Sequence, residues 1–223
     1  LKFNHAFVTP PILTKGDRCY TTPEGNSYES VTTYIGRNWD KSFLIEWRKR
    51  VGAEKAAKIS SAAIRRGTSL HKVTEKYLMN EELDLDDDPT TKALFNKIQP
   101  LIDRLNNIRL LETPLYSHKL QLAGTPDCIA DYSNALAVVD FKTSTRVKKK
   151  KEIVDYFLQC ACYAEMYNEH YGQMPEKAII IMAIPDLPYG MTYIHPMDKC
   201  VKMLENFRTD PVSFQNKIKE IVE

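Results

Sequence analysis

The sequence lacks any long apolar run. Its longest, Ala178-Ile179-Ile180-Ile181-Met182-Ala183-Ile184, has the length of a strand, far below the roughly 18 residues of a membrane span. No membrane partner is therefore expected. No secretory signal is recognisable from Leu1 onward, although a start without Met is compatible with a trimmed or processed product. Cysteine is also sparse. Cys19, Cys128, Cys160, Cys162 and Cys200 are odd in number, scattered and without CxxC spacing, which argues against a disulfide framework or a zinc site. Free, buried thiols in a reducing intracellular compartment are the expectation. Internal repeats and low-complexity segments are absent too, and with 223 residues the chain can bury a sizeable core as one domain.

A net charge of +2 excludes little, but the charges are unevenly placed. Basic clusters recur at Arg48-Lys49-Arg50, Arg65-Arg66 and Lys148 to Lys151, while acidic residues concentrate from Glu81 to Asp88. Basic clusters on helices can meet phosphates, and equally can be solvated faces.

Residues 1–28 carry Pro10-Pro11, Pro23 and Gly25 and read as an irregular or extended lead-in. From Thr33 to about Asn80 the periodicity is helical, in three helices, with Phe43, Leu44 and Trp47 on one apolar stripe. Trp47 is assigned to packing. A further helix is expected from Thr90 to Ile108, after a loop ending at Asp88-Pro89. Strands are expected at Glu112–His118, Leu120–Tyr132 and Ala135–Lys142, then a helix over 152–171. Strands at Ala178–Ile184 and Met191–Ile194 and a helix over 198–222, interrupted near Pro211, complete the chain. This order predicts an α/β fold with a central mixed β-sheet flanked by helices, preceded by a helical region. The expected division is a mostly helical segment over 33–110 and a sheet-centred core over 111–223, within one domain.

One hairpin carries the chemistry. If Ser133-Asn134 is a two-residue turn, residues paired across it have numbers summing to 267, and Asp127 and Asp140 are such a pair. The two carboxylates then face each other on adjacent strands, and Lys142, two residues on, leaves the same face as Asp140. Facing carboxylates destabilise a sheet unless a cation lies between them. Oxygen ligands with open positions suit Mg²⁺ or Mn²⁺, one or two ions, and a lysine beside them can stabilise a developing phosphate charge or orient and help deprotonate the attacking water. A one-residue slip of register would separate the carboxylates, and each alone could simply end a strand at the surface.

Pro126-Asp127 followed by Asp140-Phe141-Lys142 resembles the signature of the PD-(D/E)xK nucleases. Gly67-Thr68-Ser69-Leu70-His71 on a preceding helix and Gln159-Cys160-Ala161-Cys162-Tyr163 on a following one are similar to motifs of its RecB-like exonuclease branch. The order of motifs is most similar to the mitochondrial and bacteriophage exonucleases of that branch. The resemblance implies a restriction-endonuclease-like core, catalysis by His71, Asp127, Asp140 and Lys142, and metal ligation by His71, Asp127, Asp140 and the Phe141 carbonyl. It implies nucleic-acid contacts from Arg65, Arg66, Gln159 and Tyr163, and an N-terminal helical arch over the site. Glu112, with Pro114-Leu115, is similar to an acidic residue of the branch that serves as an outer ligand, and equally fits a surface glutamate. The implied substrate is DNA, single-stranded with free ends, and the implied state a monomer. The implied location is the host cytoplasm for a phage chain and the mitochondrial matrix for a eukaryotic one. Some relatives carry an iron–sulfur cluster on four cysteines; only Cys160 and Cys162 lie close together here, so no cluster is expected. An endonuclease of the same fold and a non-catalytic nucleic-acid-binding module remain the alternatives.

Overall fold

The computed structural model describes residues 2–17, 19–85 and 87–218. Its centre is a mixed five-stranded sheet built around the predicted hairpin. Ser133 and Asn134 take positive φ angles of 50° and 67°, the left-handed pair that a two-residue hairpin turn requires. Strands β7 (Cys128–Tyr132) and β8 (Ala135–Thr143) pair antiparallel with Cys128 opposite Val139 and Tyr132 opposite Ala135, the register that sums to 267. β8 continues into a parallel pairing with β9 (Lys177–Ala183), and β10 (Met191–Pro196) closes that side antiparallel. β4 (Leu105–Leu111) forms the other edge, giving the order β10-β9-β8-β7-β4.

Because strand side chains alternate, β8 feeds two cores. Leu136 and Val138 pack with Phe157, Leu158 and Ala161 of α5 (Val154–Tyr171) on one face. Ala137, Val139 and Phe141 pack on the other with Leu70 and Val73 of α3 (Ala53–Leu78) and with Leu94 and Ile98 of α4 (Pro89–Ile102). The expected central mixed sheet with flanking helices is therefore present. The predicted helical region is also in three helices: α1 (Val31–Asn38), α2 (Ser42–Val51) and α3. Its apolar stripe departs from expectation. α2 buries none of its residues, Phe43 is 65% exposed, and Trp47 is only half-buried.

Four boundaries differ from the sequence reading. The helix expected to reach Ile108 stops at Ile102, and Leu105–Leu111 pairs with β7 instead. Such short apolar runs are ambiguous between helix and strand until a partner edge decides. The segment read as one strand from Leu120 to Tyr132 is two strands in different sheets, β6 (Leu122–Gly124) and β7. Pro126, which has no N–H to give a ladder, lies at the crossing. The strand expected from Glu112 shrinks to β5 (Leu115–Ser117), since Glu112 itself has φ 45°. The lead-in is more ordered than expected. Strands β1 (Thr14–Lys15), β2 (Cys19–Thr21) and β3 (Ser27–Ser30) join β6 and β5 in a second sheet. At the C-terminus, α6 (Met197–Thr209) and α7 (Pro211–Asn216) break at Pro211 as expected, while 219–222 of the predicted helix fall outside the described residues.

Candidate active site

The hairpin brings Asp127 to the start of β7 and Asp140 and Lys142 to the far end of β8, on the face covered by α5. Asp127 is tied at both ends. Its Oδ2 accepts the Phe141 N–H at 2.7 Å, and its backbone carbonyl accepts the Glu112 N–H at 3.0 Å. Those two bonds explain how a residue beyond the ladder still faces β8.

From the opposite layer, α3 delivers His71. Its Nε2–H donates to the Phe141 carbonyl at 2.7 Å, which leaves Nδ1 facing Glu112 Oε1 and Asp127 Oδ1, each at 3.6 Å. One atom from each of His71, Glu112 and Asp127 lies within 4.8 Å of the others. With Nε2 carrying the ring proton, Nδ1 presents a lone pair to two carboxylates. That arrangement is repulsive unless a proton or a cation lies among them. Burial disfavours a charged imidazole, but the Glu112 and Asp127 carboxylates outweigh it and push His71 up to about 9.

Beside this triad, Lys142 Nζ contacts Asp140 Oδ1 at 2.5 Å and sits 5.0 Å from the centre of the Tyr156 ring. Asp140 Oδ2 is buried without a hydrogen-bond partner among the described residues. Burial pushes the Asp140 carboxyl up to about 6; the Lys142 ammonium offsets part of that, and the Asp127 charge adds to it. Asp127 is raised in the same way, by burial first, against the pull of Lys142 and His71. Lys142 also lies above its ordinary value: burial disfavours the ammonium, but the Asp140 and Asp127 carboxylates overcome it. Three carboxylates against one lysine and one histidine leave the site short of positive charge. The oxygen-and-imidazole donor set and the orphaned Asp140 Oδ2 fit a hard divalent cation.

The structure thus brings together His71, Asp127, Asp140 and Lys142, all named from the sequence. The Phe141 carbonyl, expected as a ligand, accepts the His71 Nε2–H at 2.7 Å, which orients the imidazole. Gln159 is half-buried on α5. Tyr163 is only 6% exposed, and its ring stands 2.9 Å from where a Cβ on Gly124 would lie, so it packs against Gly124. Arg65 is exposed on α3, while Arg66 is half-buried with its Nε unpartnered among the described residues. Gly67 lies one turn before His71, where an added Cβ would meet nothing within 4 Å among the described residues.

The sequence left Glu112 open between an outer ligand and a surface glutamate, and it did not single out Tyr156. Glu112 reaches His71 and Asp127 through a left-handed backbone conformation. Tyr156 was detectable in principle, because Tyr156, Gln159 and Tyr163 fall at helical spacing on one face of α5. The tight fit at Gly124 has a consequence. Gly124→Ala must push back the Tyr163 ring, destabilising the fold by about 1–3 kcal/mol. Urea denaturation of the two proteins measures it, and an unchanged midpoint would contradict the packing.

A family model of the PD-(D/E)XK nuclease superfamily matches residues 39–223. The chain is similar to mitochondrial genome maintenance exonuclease 1 of Mus musculus, with 27% identity over 172 residues covering 72% of this chain and 51% of the relative. Its similarity to the Homo sapiens protein of the same name is 25% over 173 residues, covering 72% and 50%. The chain thus spans about half the length of the curated relatives it matches. A solved structure of a candidate exonuclease from Eubacterium rectale superposes with a TM-score of 0.47 and 15% identity, over 72% of this chain and 69% of that one. Members of this superfamily use divalent metal ions, in keeping with the carboxylate-rich centre at the end of the hairpin. With the family model spanning most of its length, the chain belongs to the PD-(D/E)XK nuclease superfamily.

Proposed function

We propose that the chain is a metal-dependent DNA exonuclease that hydrolyses phosphodiester bonds from free ends of single-stranded DNA. The observation that carries the catalytic reading is the convergence of His71, Glu112 and Asp127 beside the Asp140–Lys142 pair. In this reading His71, Glu112, Asp127 and Asp140 hold Mg²⁺ or Mn²⁺. A divalent ion there supplies positive charge to the scissile phosphate and lowers the pKa of water.

The chain's own residues do the rest. The Phe141 carbonyl fixes the His71 tautomer, and the Phe141 N–H fixes the Asp127 rotamer, so the donors are preorganised. Lys142, kept charged by two carboxylates, acts as an electrostatic donor to the oxygen charge that develops on the phosphate, and not as a base. Arg65, Arg66, Gln159 and the Lys148 to Lys151 run contact the nucleic-acid backbone. The N-terminal helical region engages the strand, and the sheet-centred remainder performs the chemistry. The relatives' names support the exonuclease assignment and, for a eukaryotic chain, action in mitochondria.

The test is a linear single strand set beside the same sequence as a covalently closed circle, both with Mg²⁺. The expected result is rapid loss of the linear form, a persistent circle, and no activity in EDTA or in Asp140→Asn. Rapid cleavage of the circle would instead make the chain an endonuclease. Equal cleavage by wild type and Asp140→Asn would remove the catalytic assignment.

A further inference from the structure

A groove of about 570 Å³ opens beside the candidate centre, between α3, the end of β4 and the segment preceding the first strand. Its volume lies within the range of small-ligand sites. Lys72 and Thr113 line it, one residue from His71 and one from Glu112 respectively. From there it follows α3 through Glu75, Lys76 and Met79. His71, Glu75 and Met79 are spaced four residues apart on one helix face, so the groove extends the catalytic face by two turns, about 12 Å.

At its far end the groove meets Phe7. The backbone on either side of this residue is pinned to the sheet edge, by Ala6 N–H to the Ile108 carbonyl at 2.8 Å and Val8 N–H to the Arg109 carbonyl at 3.2 Å. The ring stacks on His5 at 4.8 Å and 18°, while His5 is held by the Leu78 carbonyl at 2.7 Å. Phe7 nonetheless stays 50% exposed, and Met79 39%. A rigidly mounted aromatic with a free face serves no purpose in the core. Lys72 and Lys76 are exposed, one turn apart, and have no ion-pair partner among the described residues. Arg109 is already paired with Asp131 at 2.7 Å, and Glu75 and Glu81 line the groove as well.

We infer that this groove is a nucleotide subsite for the single strand on one side of the scissile phosphate. Phe7 is its base-stacking platform, and Lys72 and Lys76 its contacts to successive phosphates. The inference rests on the functional reading above and deepens it. An aromatic face beside a paired row of unneutralised lysines is the chemistry by which proteins hold single strands without reading sequence. Continuity with the His71–Glu112 end of the catalytic centre argues for a strand as the occupant.

Anisotropy of a labelled oligothymidylate, titrated with the full chain without divalent cation, tests it. Phe7→Ala is expected to weaken binding about fivefold or more, with Phe7→Trp restoring it. Lys72→Ala combined with Lys76→Ala is expected to lower the slope of log affinity against log salt by about 1.4. Lys202→Ala, on α6, serves as the control and is expected to match wild type. If wild type binds the oligonucleotide and both groove variants match it in affinity and salt slope, the groove assignment is overturned while the nuclease reading stands. If wild type binds and degrades no single strand, the functional reading falls and this inference with it.

Discussion

Lys142→Ala is expected to lower phosphodiester hydrolysis by about 10²–10³ while leaving cation affinity unchanged or tighter. The two halves of that result come from one contact. Lys142 Nζ sits 2.5 Å from Asp140 Oδ1, so the ammonium and a divalent ion compete for the same carboxylate. Removing the lysine frees Asp140 for the ion, yet takes away the charge that would meet the developing phosphate oxygens. It also strands a buried carboxylate, which is expected to lower the melting temperature of the metal-free protein. Added Mn²⁺ should then raise that temperature more in the variant than in wild type. Calorimetric Mn²⁺ titration and thermal melts check both statements. A variant that loses cation affinity along with activity would mean that Lys142 organises the centre and does not compete with the ion.

Glu112→Gln is the second large effect. Its Oε1 lies 3.6 Å from His71 Nδ1, opposite Asp127, and the substitution keeps its size while removing its charge. Mn²⁺ affinity is expected to fall at least tenfold, with activity partly recovered at high cation concentration. The backbone bond from Glu112 N–H to the Asp127 carbonyl is untouched by the change, so loss of affinity would not reflect a lost strand crossing. Unaltered Mn²⁺ binding in Glu112→Gln, together with lost binding in Asp140→Asn, would move the cation centre to the Asp140 side.

How the carboxylates come to share a site differs from residue to residue. Asp127, Asp140 and Lys142 were readable because a two-residue turn and a period of two are local facts, and the register they imply is the one observed. His71 came from a motif on a helix; only packing of Leu70 and Val73 against β8 carries its imidazole to the Phe141 carbonyl. Tyr163 shows the opposite outcome, since its place beneath Gly124 is invisible in helical periodicity.

The sequence by itself determined the hairpin, its facing carboxylates, the helix–sheet order and the scattered thiols. Each depends on neighbours a few residues apart or on composition. The tertiary structure alone decided that the segment before Cys128 leaves one sheet and enters another at Pro126, that 105–111 is an edge strand, and that Glu112 comes to lie beside His71 and Asp127. Those outcomes depend on contacts between residues far apart in the chain, such as the β4–β7 pairing and the backbone bond from Glu112 to Asp127, which local propensity does not encode.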